Sequence, residues 1–226
     1  MGTVNLKKIA SVVLAMAVFF SFTLAMTAEA NAASSGTLKS TVYTGVIKNG
    51  NTVYCSTSAG IYKVKLKNQK VVKKTRLVKS YENNVVNTMK LKGNYLYYTC
   101  FYPVGEYMNR VNVKTGKEEE IFGPYKGRFK KYMSVSVLSY AIKGKKLYAR
   151  INYGDGDEKD YKKTFVSKLN GKSPEKTSVK IKSTEKASNK KGYTIVEKGI
   201  ETEDSYETKC YLKTPKGKFY LGKYAY

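Results

Sequence analysis

From residue 41 onward, apolar and polar residues alternate in short runs, and turn-forming residues interrupt each run before it reaches helical length. Gly60-Ile61-Tyr62-Lys63-Val64-Lys65-Leu66 is the clearest case, with lysine at every second position. That period predicts a strand with one wet face. Residues 41–47 and 52–56 read as strands before it, and Asn68-Gln69 turns it into Val71-Val72. The order then recurs. Strands are expected at 84–91, 95–102, 107–113 and 118–122, and again at 133–142, 146–153, 164–169 and 176–181. A last set falls at 193–197, 208–214 and 219–221. Here a polar run, residues 183–190, occupies the place of the expected apolar first strand.

The recurring stretch is sharpest at Leu91-Lys92-Gly93-Asn94-Tyr95-Leu96-Tyr97-Tyr98. Its relatives carry turn glycines at Gly50, Gly144 and Gly192, so the four copies are spaced 43, 51 and 48 residues apart. Three or four short antiparallel strands repeating at that interval are the signature of propeller blades. One such unit alone buries too little apolar surface to be stable. The expectation is therefore an all-β fold over residues 41–226, a small or incomplete β-propeller of about four antiparallel blades. Residues 41–47 are placed to pair near the C-terminal unit and close the circle.

The apolar-Lys-Gly-x-x-Leu-Tyr-Tyr run, together with Arg110-Val111 and Thr115-Gly116-Lys117, resembles the blade repeats of secreted Gram-positive propeller proteins. These are described as low-density-lipoprotein-receptor-like propeller repeats of unknown function. The resemblance covers roughly residues 41–221. It implies a propeller fold and an exported location, and it brings no catalytic residues with it.

Export is also written at the N-terminus. Lys7 and Lys8 precede an almost unbroken apolar run from Ile9 to Met26, and Ala28-Glu29-Ala30 or Ala30-Asn31-Ala32 offers the small residues of a cleavage site. Residues 1–32 read as a signal peptide and 33–40 as a flexible leader. A retained anchor is the alternative, because the run approaches the roughly 20 residues that span a bilayer. The expected location is secreted or associated with the cell surface.

Net charge narrows the partners. The chain carries +25, and 38 of its 42 basic residues are lysine. Such a field favours polyanions. Lysine supplies point charge without the planar fork that specific phosphate or base readout uses, so no specific nucleic acid is expected. Anionic wall polymers, membrane headgroups or a protein partner fit better. The candidate anion-binding residues are Lys73, Lys74 and Arg76; Lys126, Arg128, Lys130 and Lys131; and Lys190 and Lys191. Aromatics interleave the second cluster, and Gly127 to Tyr132 is read as able to stack on sugars or bases.

Other chemistry is thin. There is no histidine, which removes triads and leaves no metal spacing among Cys55, Cys100 and Cys210. The three cysteines are read as buried free thiols, with a Cys55–Cys100 bridge as the alternative. Gly154-Asp155-Gly156-Asp157-Glu158-Lys159-Asp160 lacks the spacing of a calcium loop and reads as a polar hairpin tip. Nothing in the spacing selects paired carboxylates such as Glu106 and Asp155 for glycoside hydrolysis. The expected function is a non-catalytic binding or scaffold module without a cofactor, drawn electrostatically to the anionic cell envelope. The alternatives are a lyase acting on anionic polysaccharide through tyrosine and lysine, and a protein-interaction platform.

Overall fold

A computed structural model describes residues 36–80, 85–103, 105–124, 127–155, 160–202 and 205–225, and it is all-β. The signal expected over residues 1–32 lies outside the described residues, as does Lys126. Among the described residues there are sixteen strands, four in each glycine-marked segment of the sequence. The first unit is β1 (Thr37–Asn49), β2 (Thr52–Thr57), β3 (Gly60–Lys67) and β4 (Lys70–Lys79). The second is β5 (Val85–Lys92), β6 (Tyr95–Tyr102), β7 (Gly105–Asn112) and β8 (Glu118–Phe122). The third is β9 (Ser134–Lys143), β10 (Lys146–Gly154), β11 (Tyr161–Lys168) and β12 (Glu175–Thr177). The fourth is β13 (Lys180–Ser188), β14 (Thr194–Thr202), β15 (Ser205–Thr214) and β16 (Gly217–Ala225).

The turns carry the glycines that the sequence marks. Gly50, Gly93, Gly144 and Gly192 all have positive φ, at 54°, 58°, 58° and 81°. The first three open two-residue connections between antiparallel neighbours, as the pairs Asn49–Thr52, Lys92–Tyr95 and Lys143–Lys146 show. A primed turn matches the strand twist and places glycine at that position. Asn68 and Gln69 take positive φ together, 51° and 64°, and fold β3 back onto β4.

Pairing then departs from four separate sheets. The first two units and β13 form one curled nine-stranded sheet in the order β4-β3-β2-β1-β5-β6-β7-β8, with β13 added beside β1. The third unit is a four-stranded sheet, and β14-β15-β16 is a three-stranded one. The N-terminal half of β1 runs parallel to β13, from Thr37 opposite Lys180 to Val46 opposite Ser188. The first strand thus does pair with the last unit.

Two expectations need correction here. Thr37 to Ser40, expected within a leader, are strand and pair within that parallel ladder. The polar run 183–190 is no gap in the repeat. Its residues through Ser188 are strand, and Lys180 and Ile181 belong with them rather than with the third unit. A ladder of backbone bonds needs no apolar side chains, and β13 is mostly exposed along its length.

Four apolar clusters hold the units together, and each lies between neighbours. Tyr54 and Ile61 meet Leu96, Tyr98 and Val111 between the first and second units. Ile121 and Phe122 meet Tyr153 and Phe165 between the second and third. Ala141 and Tyr148 meet Val179 between the third and fourth. Val53, Tyr62 and Val64 meet Cys210, Leu212 and Leu221 between the fourth and first. Val42 of β1 also joins the cluster between the second and third units, so the first unit packs against the third as well. All three cysteines are buried and free.

Candidate functional site

Of the sequence-marked cations, Lys73, Lys74 and Arg76 lie on β4, while Arg128, Lys130, Lys131, Lys190 and Lys191 lie in turns. On β4, Lys73 and Lys74 are adjacent and so point to opposite sides. The Lys74 ammonium donates to the carbonyls of Tyr220 and Leu221 at 3.1 and 2.9 Å and lies 4.9 Å from the Tyr220 ring centre. It is committed to fastening β4 beside β16. Arg76 pairs across the ladder with Tyr62, whose phenol burial pushes above its ordinary pKa and the guanidinium partly draws back.

Lys73 faces the other way, into a groove of about 420 Å³. Lys63 and Lys65 of β3 and Thr75 of β4 share that wall, because residues two apart along a strand lie on one face. The turn between β7 and β8 supplies the opposite wall with Lys114 and Thr115, and Arg76 borders the rim. Lys63 spans the two walls, its ammonium donating to the Val113 carbonyl at 2.6 Å. Asn112 shapes the turn by accepting from the amides of Lys114 and Thr115 at 2.9 and 3.3 Å. Among the described residues five cations line this groove and no carboxylate does. Lys65 and Lys73 are direct cross-strand partners, so two like charges are held side by side.

Arg128 lies elsewhere, in a groove of about 580 Å³ between the second and third units. It is occupied: its Nη1 donates to the Pro174 carbonyl at 3.1 Å and its guanidinium lies 5.3 Å from the Phe165 ring centre. Glu119 and Glu120 line the same groove, and Arg110 holds Glu119 in an ion pair at 2.5 Å. Lys130 and Lys131 are exposed beside the 3-10 turn Gly127–Phe129, with Lys131 5.1 Å from the Tyr132 ring centre. Phe129 is 2 % exposed and packs edge-on against Phe122, Tyr153 and Phe165. The stacking role expected for this aromatic segment therefore does not extend to Phe129, which belongs to the core.

Lys190 and Lys191 sit in the turn between β13 and β14, beside the β1–β2 turn, where Asn189 bonds both backbone groups of Lys48. They line neither groove. The structure thus brings Lys73 and Arg76 to a common site with Lys63, Lys65 and Lys114. In the sequence Lys63 and Lys65 read only as the wet face of a strand; the signal that points to the groove is the register that sets Lys65 against Lys73. A scan against protein-family models and a search of curated proteins both return no match for this chain.

Proposed function

We propose that the chain is an exported, non-catalytic binding or scaffold module whose lysine-lined groove holds an anionic polymer of the cell envelope. The observation that carries this reading is the groove of Lys63, Lys65, Lys73, Lys114 and Arg76, with no carboxylate on its walls. An anion there relieves the repulsion between Lys65 and Lys73 and is drawn in by a net charge of +25. Lysine adapts to repeating phosphate or carboxylate groups without demanding one geometry.

The same reading takes the architecture as a propeller-like ring of four units, in the manner of the repeats it resembles. Its supports are the four turn glycines, the apolar clusters between consecutive units, and the β1–β13 ladder that links last to first. The lyase alternative requires a tyrosine poised as a base. Among the described residues, every tyrosine whose pKa departs from its ordinary value is raised, and burial is the leading cause each time.

The test is co-sedimentation of the purified protein with isolated Gram-positive cell walls over a salt series. Retention falls steeply between low and molar salt, because screening shortens the Debye length to about 3 Å at 1 M. Retention that ignores salt would overturn the electrostatic reading.

A further inference from the structure

The first strands of all four units meet at one small cavity of about 50 Å³. Val42 comes from β1, Thr88 from β5, Tyr140 from β9, and Ser183 and Glu185 from β13, while β6 and β7 add Thr99 and Glu106. Its chemistry inverts that of the lysine-lined groove. Among the described residues two carboxylates line it and no lysine or arginine does.

Its polar groups are incompletely satisfied. Thr88 and Thr99 share a hydroxyl hydrogen bond at 2.8 Å, and Glu106 accepts from Asn87 Nδ2 at 3.0 Å. Tyr140 is 2 % exposed, yet its hydroxyl lies beside Thr88 without a hydrogen-bond partner, and Ser183 Oγ is likewise buried and unpartnered. Buried hydroxyls ordinarily find a partner, and each that does not points to an absent ligand or water. Neither glutamate forms an ion pair among the described residues. Lys90, two residues along β5 from Thr88, has its ammonium on Ser40 Oγ and the Thr41 carbonyl at 3.2 and 2.9 Å.

We propose that this axial cavity binds a divalent cation of the calcium class. Glu106 and Glu185 supply charge from the second and fourth units, the hydroxyls of Tyr140, Ser183 and the threonines supply neutral oxygens, and water completes the shell. Hard cations take oxygen ligands in number, in flexible geometry. The volume admits an ion with one or two waters. Among the described residues no three histidine, cysteine, aspartate or glutamate side chains converge, so this is a two-carboxylate site. Its affinity class is that of extracellular modules, with Kd of about 10⁻⁴ to 10⁻³ M. The ion would pin the inner strands of opposite units to one point.

Terbium is a suitable probe, because the chain has no tryptophan and emission on excitation at aromatic wavelengths comes through tyrosine. The purified protein sensitises terbium emission, and calcium reverses it. Glu185→Gln, at an exposed position that leaves folding intact, weakens terbium binding at least tenfold, and Tyr140→Phe cuts the sensitised signal while preserving the packed ring. Glu118→Gln, on another surface, changes neither. Calcium at millimolar concentration raises the unfolding midpoint of the unaltered protein and not of Glu185→Gln. The proposal is overturned if emission is absent, if it is indifferent to Glu185→Gln, or if calcium moves both midpoints alike.

Discussion

Lys65 of β3 and Lys73 of β4 stand directly opposite one another in an antiparallel ladder, two ammonium-bearing side chains on one wall of a groove that holds no carboxylate. Like charges in that relation cost stability, whereas opposite charges contribute about 0.2–1 kcal/mol. Lys65→Glu is therefore expected to raise resistance to urea by roughly that amount at low salt. It also weakens retention on anionic wall polymer several-fold. Lys145→Glu makes the same change of net charge on an exposed turn and serves as the control. If both variants lose binding equally, total charge rather than the groove is responsible.

Asn189 ties the ends of the repeat together. Its side chain accepts from the Lys48 amide at 2.7 Å and donates to the Lys48 carbonyl at 3.0 Å, extending the β1–β13 ladder by one imitated rung. Asn189→Ala removes both bonds at an exposed site, so the expected loss is about 1–2 kcal/mol in chemical denaturation. Hydrogen exchange should quicken first in residues 37–49, and uniform acceleration across all four units would contradict this account.

Gly105 opens β7 with φ of 145°, and a Cβ added there would collide with the Val135 carbonyl oxygen of the next unit. Gly93 has φ of 58° but open space around it. Gly105→Ala is thus expected to cost about 3 kcal/mol, from strain and overpacking together. Gly93→Ala pays only the left-handed backbone, about 1 kcal/mol. Equal losses from the two would show that the contact between the second and third units is not set by backbone approach.

Burial raises the pKa of Cys55 and Tyr98 and pushes Cys100 and Tyr102 up to about 12. In the unfolded chain these groups ionise near 8.5 for thiols and 10 for phenols. Their contribution to stability is whole below about pH 8.5 and is lost as pH rises from there toward 12. Cys55 and Cys100 should therefore resist alkylation in the folded protein at pH 10 and react readily in denaturant at the same pH. Rapid alkylation of Cys55 in the folded state at pH 8 would be inconsistent with this.

The repeat was legible because its turns are chemical: Gly50, Gly93 and Gly144 each answer one backbone requirement, and the period-two lysines of β3 follow directly from a strand wet on one face. What escaped was contact at long range. Thr37 to Ser40 look like leader until Lys180 to Ser183 are set beside them, and β13 looks like a loop because exposed strands need no apolar pattern. The grooves escaped for a related reason. Adjacent lysines on β4 diverge, so Lys73 and Lys74 share a cluster in the sequence and separate faces in space. Lys63, Lys65 and Lys114 do the reverse, coming from two units to one groove.

The β1–β13 ladder also sets an order on assembly. A polypeptide is made from its amino end, so residues 37–46 emerge well over a hundred residues ahead of the strand they lie against. Until then an unpaired edge is open to strangers, with only Lys39 and the threonines around it to discourage them. The ladder is a latch whose catch is made late, and a ribosome stalled before residue 180 would leave it hanging open.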